Sequence, residues 1–166
     1  TPFPHTPLFR SPCLSGYGEG WGLKTEWLGT LMGIYETPYD DFGRLTFEMW
    51  RAARLVIDTG LHEYGWTRQQ AIDYLAANTA LAHHDIVTEI DRYIAWPGQA
   101  TAYYLGYKTM RDLRSEAERE LGPKFDQRPF HDTILNLGSV PLPVLESEVR
   151  TFIAERKTAT RAAAEE

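Results

Sequence analysis

Apolar side chains recur three and four residues apart along most of this chain, and the pattern is cut at glycines and prolines. Only an α-helix gathers positions i, i+3, i+4 and i+7 on one face; a half-buried strand needs period two. From Leu14 to Met32 the spacing is helical and ends near Gly33. "TPYDDFGRL" then supplies a turn and an Asp N-cap. Phe42, Leu45, Met49, Ala53, Val56 and Gly60 follow on one face of a long helix. Thr67 stands three residues before Gln70, the spacing of a capping box that opens another helix. "DIVTEIDRYIAW" runs into Pro97-Gly98, after which Ala100, Tyr103, Tyr107, Met110, Leu113, Ala117 and Leu121 repeat until Gly122-Pro123. Pro129 sits where a first-turn proline is tolerated, and Gly138 where a helix stops. "PLPVLESEVRTFIAERK" is a last amphipathic helix. No alternating run competes. The expected fold is all-α and multi-helical, with breaks near Gly33, Gly65, Pro97, Gly122 and Gly138.

At 166 residues the chain is long enough for one core, and it reads as a single helical segment over 1–166. Residues 1–13 form a proline-rich extended lead-in, and 159–166 a frayed tail. The opening "TPFPHTPLFRSP" packs four prolines into twelve residues without an initiator methionine, which reads as a fragment of a longer protein. A net charge of −6 and a pI near 5.4 argue against a nucleic-acid partner. The single cysteine, Cys13, excludes an internal disulfide framework. No apolar run approaches the roughly 20 residues that span a bilayer. Compartment stays open, cytoplasmic or exported.

Four groups of residues bear on chemistry. In "SGYGEGWGLKTEWLG", glycines at 16, 18, 20 and 22 surround Glu19. A phosphate loop needs a preceding strand, absent here, and Glu19 would repel the phosphate. Either the small residues let a helix start lie against another backbone or a ligand, or Glu19 is a helix-start carboxylate favoured by the dipole. Glu26, seven residues on, shares its face. The five histidines (His5, His62, His83, His84, His131) include no i, i+4 pair, so the chain holds no complete helical zinc motif. "HEYGW" at His62 is a near miss. Arg44, Glu48, Arg51, Asp58 and His62 form a polar stripe, either a solvated face of ion pairs or the wall of a site. Gln99, Tyr103 and Tyr107 follow at i, i+4 steps, either as packing aromatics or with a hydroxyl free to meet a developing oxyanion.

"GYGEGWGLKTEWLG", "YDDFGRLTFEMWRAARLVIDTGLHEYGWTRQQAIDYL", "TEIDRYIAWPGQATAYYLGYKTMRDLR" and "FHDTILNLGSVPLPVLE", in this order, resemble the C-terminal half of the bacterial domain of unknown function 885 family. The resemblance covers roughly residues 8–155. That family resembles gluzincin metallopeptidases, all-helical zinc enzymes. The resemblance implies that Glu19, at the glutamate of the family's "E-G-W", is the third zinc ligand. It implies that Tyr103, after "PGQA", polarises the scissile carbonyl or holds its oxyanion, and that His62, in "TG-x-H", contacts substrate or transition state. The two histidine ligands and the general-base glutamate are absent from this sequence and are expected upstream. Tyr104 replaces a lysine of the family pattern.

The expectation is therefore the C-terminal part of a zinc-dependent peptidase, inactive alone. Its partners would be a peptide substrate and the missing N-terminal half, with no nucleic acid and no membrane span. Zinc is expected in the full-length protein and not stoichiometrically in this chain. The rival readings are a non-enzymatic helical binding module and a degenerate peptidase-like protein. A helical domain cut in this way should expose apolar surface, with Trp21, Trp27 and Trp50 as its lining, and should self-associate.

Overall fold

A computed structural model describes residues 14–162, so the proline-rich lead-in and the final four residues lie outside the described residues. Seven α-helices make up the described chain: α1 (Ser15–Leu31), α2 (Pro38–His62), α3 (Arg68–Asn78), α4 (His83–Ala95), α5 (Gln99–Leu121), α6 (Gln127–Leu137) and α7 (Leu142–Ala162). A 3-10 turn, Gly122–Lys124, joins α5 to α6, and the described residues contain no strand. The fold is all-α.

Five of the six helix breaks hold a glycine that the backbone requires, and the α3–α4 break instead leaves the helix through Thr79 in an extended conformation. Gly33, Gly65, Gly98, Gly122 and Gly138 all have positive φ, a backbone region that is costly for other residues. The stop at Pro97 is thus completed by Gly98. The Thr67–Gln70 capping box is present as expected. The cap of α2 differs: Thr37, not an aspartate, is the N-cap, with Pro38 in the first turn and Asp40 closing the box at 2.9 Å to the Thr37 amide. An aspartate three residues after threonine does the work of the usual glutamate. At the other end, α7 runs four residues into the stretch read as a tail.

Helix α5 is the spine. Its first turns join one apolar cluster, where Ala100 packs with Ala53, Ile57, Ala71, Leu75, Ile86, Ile90 and Tyr93 of α2, α3 and α4. Its later turns join a second, where Met110, Leu113 and Ala117 pack with Tyr17, Phe130, Ile134, Leu145, Val149 and Ile153 of α1, α6 and α7. Against this spine α1 lies unusually close. A Cβ on Gly20 would sit 2.5 Å from the Gly106 Cα, and one on Gly106 would overlap the Gly16 carbonyl oxygen. Glycines 16 and 20 of the opening motif are there because one backbone lies against another.

The N-terminal half of α2 packs on α5 by one side and leaves its apolar side uncovered. Phe42, Leu45, Phe47 and Met49 are exposed, as are Leu31, Met32, Ile34 and Tyr39 around the α1–α2 connection. Apolar surface is exposed, but not where the tryptophans predicted it. Trp27 stacks on Arg111 at 3.5 Å, Trp50 on Arg54 at 4.4 Å, and Trp21 packs edge-on against His131. Each ring found a cation or a neighbouring ring inside the fold, and all three are half-buried.

Candidate functional site

Around the α1–α5 crossing the structure gathers a polar cluster on the side facing α2. Arg54 is 3% exposed, enclosed by the rings of Trp50, Tyr93 and Tyr103 at 4.4–5.3 Å. Its Nε donates to the Tyr93 hydroxyl at 2.6 Å and its Nη2 to Glu89 at 2.9 Å. Arg92 donates to the same Glu89 at 2.8 Å and to the Gln99 side chain at 3.0 Å. Burial works against the Glu89 carboxylate, but hydrogen bonds from Arg92 and Tyr93 and the charges of Arg54 and Arg92 outweigh it and hold its pKa below the ordinary value. Burial pushes the Tyr93 hydroxyl up to about 12, so it stays protonated. One turn back along α2, Arg51 reaches Glu26 of α1 at 3.3 Å, and its own pKa is lowered by burial.

Tyr103 borders this cluster, and Glu19 sits beside the glycine crossing. Glu19 precedes Gly20 and lies two helical turns from Glu26, on the α1 flank that meets α2. It is half-buried and has no hydrogen-bond or ion-pair partner among the described residues. Tyr103 lies three residues before Gly106 and stacks on Arg54 at 4.7 Å. The same close crossing therefore sets the positions of both. His62 stands apart: eight residues beyond Arg54, about 12 Å along the helix. Its Nε2 is 3.0 Å from the Tyr93 carbonyl oxygen.

The polar stripe of α2 is largely buried, with His62 at its exposed end. Arg44 is bracketed by Asp41 at 2.7 Å and Glu48 at 2.6 Å, with only 9% of its side chain exposed. Asp58 is buried and accepts the Gly98 amide with both oxygens at 3.1 Å, capping α5. From α5, the Tyr107 hydroxyl donates to Glu48 of this stripe at 3.2 Å and accepts an N–H from Arg111 at 2.9 Å. Sequence reasoning missed Arg54 and Glu89, whose pairing spans 35 residues and three helices. The only available signal was a charged residue on the apolar-lined arc of α2.

No group of three His, Cys, Asp or Glu side chains converges well enough to hold a metal among the described residues. Glu19 offers a single carboxylate of the type zinc accepts. No described helix is long and apolar enough to cross a membrane.

Residues 3–149 match the family model described as "Bacterial protein of unknown function (DUF885)". Among solved structures, that of a lipoprotein candidate from Colwellia psychrerythraea is 46% identical, with a TM-score of 0.83 over 85% of this chain. The chain spans 24% of the length of that relative. A search of curated proteins gives no match. With nearly the whole chain covered by the model, the protein belongs to the DUF885 family of bacterial proteins.

Proposed function

We propose that this chain forms the C-terminal part of a zinc-dependent peptidase in which Glu19 is a metal ligand and Tyr103 a transition-state donor. One observation carries the reading: a carboxylate with no partner among the described residues and a tyrosine stacked on a buried arginine flank the same glycine crossing. A catalytic zinc takes three protein ligands, of which this chain supplies one, so the other two come from elsewhere in the longer protein. When bound, the metal supplies Lewis-acid activation of a water. Glu19 holds its share of the coordination, and the Tyr103 hydroxyl donates to the carbonyl oxygen as charge develops there. The Arg54–Tyr103 stack fixes the ring so that the hydroxyl needs no reorganisation. Glu26, through Arg51, steadies the α1–α2 wall of the site. His62 acts through position, tying the end of α2 to the Tyr93 carbonyl, from where it would reach substrate.

The test uses the full-length protein. Glu19→Gln keeps the shape and removes the charge, so zinc per chain and peptide turnover should both fall. Tyr103→Phe should leave the zinc in place and slow turnover by about a hundredfold or more. If Glu19→Gln keeps both metal and rate, Glu19 is a structural carboxylate. A binding module is the second reading, favoured by the exposed apolar tip formed by Met32, Ile34, Tyr39 and Phe42. In that case full-length protein binds no zinc, and this chain self-associates with rising concentration in sedimentation.

A further inference from the structure

Between the α1–α2 connection and the first turns of α2 lies an open cavity of about 550 Å³. Ile34, Tyr35 and Phe47 give it an apolar wall, and Glu26, Asp40, Arg44 and Arg51 bring charge. These four charges are not equally available. Asp40 is held by the Thr37 amide at 2.9 Å and the Thr37 hydroxyl at 2.8 Å. Arg44 is neutralised by two carboxylates, Asp41 and Glu48. Arg51 has only Glu26, at 3.3 Å, with one further N–H to the Phe47 carbonyl at 3.1 Å. Its Nε has no partner among the described residues, and neither has Nη1 of the neighbouring Arg54. Around α2, the guanidinium groups of Arg51, Arg54 and Arg92 share two carboxylates, those of Glu26 and Glu89. The positive charge left over belongs at Arg51, which faces the cavity.

We propose that this cavity binds a carboxylate carried on an apolar body, with the Arg51 guanidinium as its anchor and Ile34, Tyr35 and Phe47 around the apolar part. A buried N–H without a partner is a standing cost, and a planar guanidinium relieves it by turning a two-donor edge to a carboxylate. The Phe47 and Trp50 rings, 6.0 Å apart and each 5.2 Å from the Arg51 guanidinium, flank it on one side and hold it at the cavity wall. Glu26 is the competitor: the incoming carboxylate replaces its single long bond with a fork. The same chemistry fits a free organic acid and the C-terminal end of a peptide. The site stands whether or not the longer protein cuts peptides.

The test is a titration of the chain with N-acetyl-leucine, N-acetyl-leucinamide and acetyl-alanyl-alanyl-leucine, read by tryptophan fluorescence, since Trp50 lies on Arg51. The acid should bind more tightly than the amide by between about ten- and a hundredfold, the effect of a charge-assisted pair. Arg51→Gln should erase that preference with helicity unchanged, and Glu26→Gln, which removes the competitor, should strengthen acid binding. Within that pattern, tighter binding of the tripeptide assigns the site to peptide ends, and equal binding assigns it to free acids. Equal affinity for acid and amide in the unmodified chain overturns the proposal without requiring any variant to fold. So does an acid preference that survives Arg51→Gln.

Discussion

Replacing Gly106 with alanine is expected to destabilise the fold by about 3 kcal/mol or more, as a drop in melting temperature on the order of 10 °C. In an ordinary helix the same change is favourable by up to about 1 kcal/mol, because alanine has the better helix propensity. Here the new methyl overlaps the Gly16 carbonyl oxygen and lies 2.8 Å from the Gly20 Cα, both backbone atoms that no rotamer change can move. Relief requires α1 to lift off α5, which opens the contacts of Tyr17 with the second apolar cluster. Gly22, in the same motif, is the control, since a Cβ there meets nothing within 4 Å. Gly22→Ala should be neutral or stabilising by up to about 1 kcal/mol. Equal effects of the two changes would show that the crossing is looser than its geometry. In the longer protein, Gly106→Ala should also lower any activity of the site, since Glu19 and Tyr103 take their places from this crossing.

How far the sequence revealed this arrangement follows from the range of each interaction. Helix stops were legible because positive φ is a local demand, and glycine at 33, 65, 98, 122 and 138 answers it. The threonine cap of α2 was misread because two aspartates follow it, and either could serve as a cap until the Thr37–Asp40 reciprocity is seen. The apolar face of α2 was legible as a face but not as a buried one. Ala53 and Gly60 pack inward, while Phe42, Leu45 and Met49 stay uncovered. Periodicity shows which residues share a side, not whether another helix covers it. Likewise the glycine alternation around Glu19 announced a close approach, and only the fold reveals that Gly106 is what approaches. The Arg54–Glu89–Arg92 network was illegible, since charges on two helices 35 residues apart carry no sign of one another. Lys24 was equally hidden, a lysine inside a motif read for its glycines.

That lysine gives the second large effect: folding stability should rise with pH between about 7 and 10, against the usual neutral optimum. Lys24 is fully buried, its Nζ 2.8 Å from His131 Nε2 and 4.6 Å from the Trp21 ring centroid. Burial, then the charges of Arg114 and Arg111, lower its pKa from 10.5 to about 7. Between those values the unfolded chain holds a proton that the folded chain has released, so raising the pH favours folding. Below about 7 both states hold it, and the whole cost of the buried charge is present, on the order of 5 kcal/mol. His131 acts in the same direction at lower pH. Burial, then Lys24 and Arg114, bring its pKa from 6.5 to about 4, so stability falls further as acid is added across that range. At the alkaline end burial raises Tyr93 and Tyr107 to about 12, so stability declines again once unfolded tyrosines ionise near 10. The optimum should therefore lie near pH 9–10. Urea unfolding at a series of pH values reads the slope, which should approach about 1.4 kcal/mol per pH unit at its steepest, between 8 and 9, and vanish at the optimum. Lys24→Met keeps the length and the packing on Trp21 and removes the charge. It should raise stability at pH 7 and flatten the slope from 7 to 10, leaving the acid limb of His131 in place. A Lys24→Met chain that is less stable than the unmodified one at pH 7, with its slope intact, would show that the lysine is charged and well held in the fold.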